Sequence, residues 1–106
     1  MATVEAKLPG APLSKVDKRA AEVITYLIDC TSLLDTHELV VSAKANDLPA
    51  GVTIENLRTR KGMFVEATVS NQPISTAAYI DFTINLTLKT SFNNTRLAVF
   101  ILRVYK

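Results

Sequence analysis

Ile80-Asp81-Phe82-Thr83-Ile84-Asn85-Leu86-Thr87-Leu88-Lys89 alternates apolar and polar side chains without a break. Successive side chains of a β-strand point to opposite faces, so this is the pattern of a strand with one buried face. Thr90-Ser91-Phe92-Asn93-Asn94 follows, rich in turn residues. Leu97-Ala98-Val99-Phe100-Ile101-Leu102 comes next and is apolar on both faces. The two runs read as a β-hairpin that closes the chain.

Arg103 sets the hairpin register. A two-residue Asn93-Asn94 turn would put Arg103 opposite Ile84 on the core face, and burying an unpaired guanidinium is costly. A three-residue loop, Phe92-Asn93-Asn94, moves the register by one. Leu88 then faces Ala98, Leu86 faces Phe100, Ile84 faces Leu102 and Phe82 faces Val104. Asn94 would hold the left-handed position such loops need, where asparagine is tolerated. This register sends Arg103 outward, with Tyr105 beyond it. It also sends Leu97, Val99 and Ile101 outward, a stripe of roughly 200–300 Å² if bare, near the size at which apolar patches carry meaning. The stripe needs a cover, either from the first residues of this chain or from a partner subunit.

Those first residues hold Lys7, Pro9, Gly10, Pro12 and Val16 with little apolar periodicity. They read as an N-terminal arm or linker over 1–19, either flexible or docked on a neighbouring subunit, followed by a β domain over 20–106. Residues 14–30 fit two patterns. Ser14 with Asp17 could open a helix, with Val16, Ala20, Val23 and Leu27 near one face. Residues 22–30 are instead rich in β-formers (Val23, Ile24, Thr25, Tyr26, Ile28), and the strand is the favoured reading. Further strands are expected at 37–43, 52–55 and 63–70. A turn cluster at 46–51, a charged turn Arg58-Thr59-Arg60-Lys61-Gly62 and a turn at 71–73 separate them. Short strands at this spacing point to an all-β chain: an antiparallel sandwich of about 6–7 strands with an extended N-terminal arm.

Composition narrows the function. The chain has 106 residues, 48% hydrophobic and 21% charged, with a formal charge of +2. That is one domain able to bury roughly two-thirds of its unfolded surface. The small charge gives no reason to expect a nucleic-acid partner. No apolar run reaches the ~20 residues of a membrane-spanning helix, so no membrane partner is expected. The start shows no basic segment followed by an apolar one, so no secretory signal is expected. Cys30 and His37 are the single cysteine and histidine, too few for a zinc site, and no cofactor or metal is expected. There is no Gly-x-Ser-x-Gly elbow, no paired carboxylate set and no glycine-rich phosphate loop, so the chain does not read as an enzyme. Tryptophan is absent, which weakens a soluble carbohydrate- or ligand-binding module, the reading from another class.

Two motifs carry a family resemblance. Tyr26, Ile28 and Asp29 match an early Tyr-x-Ile-Asp strand, and Phe100, Leu102, Arg103 and Val104 match a final Phe-x-Leu-Arg-Val strand. Residues 48–54, Leu-Pro-Ala-Gly-Val-Thr-Ile, resemble a middle strand of the same group. Over about 20–106 the chain resembles small tailed-bacteriophage virion proteins of the fibre–tail adaptor group. It departs from them at 16–19, where an Asp-Pro is replaced, at Cys30, where a Trp is usual, and at Asn93-Asn94, where the turn is usually glycine-rich. The resemblance implies an immunoglobulin-like sandwich and a non-catalytic virion part, present in many copies and assembled in the host cytoplasm. It would link tail and fibre proteins or, alternatively, decorate the capsid. The interface residues expected on this reading are Leu97, Val99, Ile101, Arg103 and Tyr105, with Lys7, Pro9, Pro12 and Val16 of the arm.

Overall fold

A computed structural model describes residues 2–73 and 78–106. Eight strands form among them: β1 (Ala2–Glu5), β2 (Lys15–Arg19), β3 (Ile24–Asp29), β4 (Val40–Asn46), β5 (Val52–Arg60), β6 (Phe64–Asn71), β7 (Tyr79–Thr90) and β8 (Thr95–Tyr105). They build two four-stranded sheets, ordered β1-β3-β6-β5 and β2-β8-β7-β4. The inner faces of the two sheets enclose the core, the arrangement of a β-sandwich.

The alternation in the final hairpin becomes the core as expected. Ile84, Leu86 and Leu88 of β7 are fully buried, with Ala98, Phe100, Leu102 and Val104 of β8. The opposite sheet supplies Tyr26, Ile28, Val65, Ala67 and Val69, each fully buried in the same cluster. Ile84 lies opposite Phe100 and Phe82 opposite Leu102.

The hairpin loop has the expected three residues but sits one position earlier. Asn93 N–H donates to Thr90 O at 3.0 Å, and Thr90 N–H donates to Asn94 O at 3.0 Å. The loop is therefore Ser91-Phe92-Asn93, with Asn93 rather than Asn94 left-handed at φ 59°. Moving the loop by one moves the pairing by two, so Leu86 meets Ala98 and Ile80 meets Val104. Strand faces repeat every two residues, and the slip leaves the inner and outer sets unchanged. Arg103 stays outside, opposite Asp81.

Two expectations need correction. The sandwich is not wholly antiparallel, because β1 pairs parallel with β3 and β2 parallel with β8. The chain leaves β1 for the other sheet, forms β2, and returns to make β3, a crossover that imposes parallel pairing. The segment read as an arm thus supplies an edge strand to each sheet, and no helix forms over 14–30. The charged turn is also shorter than expected. Arg58 and Arg60 lie in β5 after a register shift between Glu55 and Arg58. The reversal is the three-residue loop Lys61-Gly62-Met63, closed by Arg60 opposite Phe64, with Lys61 and Gly62 both at positive φ.

Phe100→Ala should lower the unfolding free energy by about 3–5 kcal/mol, the range for emptying a buried aromatic site. Denaturant titration followed by far-UV circular dichroism measures it.

Candidate protein interface

The outer face of the β7–β8 pair is a ladder of six cross-strand pairs: Lys89–Thr95, Thr87–Leu97, Asn85–Val99, Thr83–Ile101, Asp81–Arg103 and Tyr79–Tyr105. The expected stripe does not stay whole along it. Leu97 is 44% exposed, Ile101 is partly covered and Val99 is only 3% exposed. The chain's own beginning lies beside Val99. Lys7 N–H donates to Val99 O at 3.0 Å, and Val99 N–H returns the bond to Lys7 O at 2.9 Å. Ile101 N–H donates to Ser14 O at 2.9 Å, and β2 continues the pairing from Lys15 onward. Residues 8–13 bulge out between these contacts, with Pro9 and Pro12 exposed. Val16 turns inward and packs against the core.

The far end of the ladder is polar and rigid. Arg103 grips Asp81 through Nε at 2.7 Å and Nη2 at 3.0 Å, the bidentate geometry that makes such pairs strong. Its guanidinium carbon stands 4.2 Å from the Tyr79 ring centroid, and the Tyr79 and Tyr105 rings are 5.8 Å apart. The Arg103 partnership holds the Asp81 carboxyl below its ordinary pKa.

The near end is built on Glu38, which the sequence reading passed over as one residue of a strand. Its carboxylate is buried and accepts four hydrogen bonds. Thr90 Oγ1 donates at 2.6 Å, Asp35 N at 2.9 Å, Asn94 Nδ2 at 2.9 Å and Arg96 Nη2 at 3.0 Å. Arg96 also reaches Asp35 at 3.0 Å. Thr90 and Asn94 flank the hairpin loop, so Glu38 fastens the β3–β4 connection to the tip of β7–β8. The Thr90 hydroxyl contributes most to holding the Glu38 carboxyl down. The Asp35 amide comes next and burial opposes both; Asn94 and Arg96 add to the lowering, which leaves the pKa at about 2.

Exposed apolar side chains stand beside this anchor, among polar ones such as Asp35 and His37. Leu39 is 47% exposed, Val41 61% and Phe92 49%, and Leu97 stands farther along β8, beyond the polar Lys89–Thr95 pair. Ser91 N–H donates to Leu39 O at 2.8 Å, and Leu39 N–H donates to Ser91 Oγ at 3.0 Å, which sets Leu39 beside the loop that carries Phe92. Leu39 also lies over Gly62, where a Cβ would come within 2.8 Å of its Cδ2. Val41 stands out at a bulge between Val40 and Ser42 on the edge strand β4. Aromatic and aliphatic side chains held on a fixed frame suit protein contact.

The remaining sequence candidates are placed as follows. Arg60 Nε meets buried Glu66 at 2.6 Å and Arg58 Nε meets it at 3.8 Å, so the basic cluster serves an ion pair within sheet β1-β3-β6-β5. Cys30 is fully buried, and burial pushes its thiol up to about 12. His37 is exposed in a turn at φ 66°. Among the described residues no group of His, Cys, Asp and Glu could hold a metal ion, and no helix is long and apolar enough to cross a membrane.

Comparison with family models, curated proteins and solved structures returns no match.

Two predictions follow from the geometry of the ladder and its anchor. Val99→Thr should cost about 1–3 kcal/mol by burying a hydroxyl, whereas Leu97→Thr should stay within about 0.5 kcal/mol of the parent. Paired urea titrations separate them. The Glu38 carboxyl has a folded pKa of about 2 against an ordinary 4.5, so its contribution is complete above that ordinary value. It is lost as pH falls toward about 2. Thermal midpoints measured across that window should fall, and Glu38→Gln should flatten the slope while lowering the midpoint at neutral pH.

Proposed function

We propose that this chain is a non-enzymatic structural part of a tailed-phage particle, an immunoglobulin-like connector that joins tail and fibre proteins. The strand orders support the immunoglobulin-like reading. The series β3-β6-β5 and β8-β7-β4 have the strand order of that fold's two sheets, while β1 and β2 are added in parallel at the β3 and β8 edges. The observation that carries the functional reading is the set of exposed apolar side chains Leu39, Val41 and Phe92 beside the Glu38 anchor, with Leu97 farther along β8. Such a set loses little conformational freedom on docking, because its backbone is already fixed by the buried carboxylate. The decoration of a capsid would use the same side chains, and the location of the protein on the particle separates the two roles.

Mass spectrometry of purified particles from a phage that carries the gene should find the chain in stoichiometric amount. Immunogold labelling should place it at the tail–fibre junction rather than over the head. Particles complete without the chain would sink the proposal. The double variant Phe92→Ser, Leu97→Ser should keep the parent's thermal midpoint within a few degrees and lose at least tenfold in particle incorporation.

A further inference from the structure

Three charged side chains are buried among the described residues: Lys18, Glu38 and Glu66. Glu38 meets Arg96 and Glu66 meets Arg60. Lys18, only 2% exposed, has no carboxylate within ion-pair distance among the described residues. Its Nζ donates instead to neutral acceptors: Arg19 O at 2.9 Å, Ala20 O at 3.5 Å and the side-chain amide oxygen of Asn71. Lys18 lies on the inner face of β2, paired with buried Val104 of β8. Asn71 ends β6 in the inward series Val65, Ala67, Val69. The two side chains therefore meet across the sandwich, one from each sheet, an amine against a carboxamide.

We propose that Lys18 and Asn71 join in an intramolecular isopeptide bond. The neutral amine attacks Cγ of Asn71, a C–N bond forms, the bond from Cγ to Nδ2 breaks, and Nδ2 leaves as ammonia. One proton passes from Nζ to the departing nitrogen. The reaction exchanges one amide for another and needs no oxidant, reductant or added reagent. Burial lowers the pKa of the Lys18 amine and so favours the nucleophilic form. Contact between the two groups replaces a bimolecular encounter with a fixed one. Glu22 is the carboxylate that acts electrostatically on Lys18; its charge raises the amine pKa, by less than burial lowers it. It accepts Arg19 N–H at 3.0 Å and lines the same cleft as Lys18, which makes it the carboxylate proposed to carry the proton. A surface cleft of about 450 Å³ lined by Lys18, Glu22 and Tyr105 gives ammonia an exit. The product ties edge strand β2 of one sheet to β6 of the other.

Intact mass of the purified full chain decides the matter. The chain should be lighter than its sequence mass by one ammonia. Trypsin should then yield a branched peptide in which residues 16–19 are attached to residues 62–89, because an acylated Lys18 is no longer a cleavage site. Asn71→Ala and Lys18→Met should each restore the unreduced mass. Glu22→Gln should leave a larger uncrosslinked fraction, and an unchanged fraction would remove Glu22 from the proton transfer. A wild-type chain at full sequence mass overturns the proposal and leaves Lys18 as an ammonium with three hydrogen bonds. An ammonia deficit without the branched peptide overturns it too, since that pattern marks a succinimide at Asn71.

Discussion

Strand β8 is apolar on both faces, and both of its edges need hydrogen-bond partners. Its inner side chains Ala98, Phe100, Leu102 and Val104 require an opposing sheet. One edge is paired along its length by β7. The other edge would stay open, beside Val99 and Ile101, if the chain did not bring its first residues back to it. Lys7, Ser14 and β2 do so in succession. A bare edge of that length and hydrophobicity is a template for aggregation. The doubled role of the N-terminal segment, with β1 in one sheet and β2 in the other, follows from this need.

The remaining edges show other ways of discouraging further pairing. β1 and β2 are short, with four and five residues. β4 is interrupted by a register shift at Val41, and β5 by another between Glu55 and Arg58. Bulges twist a strand and spoil its regular ladder. Lys18 adds an inward-pointing amine to the outermost strand of its sheet, a further device against edge-to-edge pairing. Leu39, Val41 and Phe92 present exposed side chains rather than open backbone beside the hairpin loop, while Leu8, Val23 and Tyr79 are exposed elsewhere.

Much of this fold is legible in the sequence because the alternation in β7 and β8 is strong and local. It assigns the inner residues of both strands and keeps Arg103 outside. The loop position was not legible at that level. Asn93 and Asn94 are chemically identical, and the choice between them follows from Glu38, more than fifty residues earlier in the chain. With Asn94 and Thr90 both bound to that carboxylate, Asn93 is left to turn the chain. β1 and β2 were hidden for a related reason. They are short and interrupted by Pro9, Gly10 and Pro12, and their pairing partners are remote. The same holds for Arg58 and Arg60, which read as a turn until β6 sets Glu66 beside them. Nothing in the local pattern marks Leu39 or Val41 as exposed, because the bulge that turns Val41 outward arises from pairing with β7.

The parallel pairing of β2 with β8 has a consequence for how the molecule is made. Lys15 finds its partner at Ile101 and Arg19 at Tyr105, so the earliest strands of the chain meet the latest. β1 can pair with β3 as soon as both are made, but β2 has no place in its sheet until β8 has been made. Contacts that span most of a chain form slowly, since the loop they close must be ordered first. β2 therefore takes its place only once β8 exists to receive it, and its docking closes a loop that spans most of the domain.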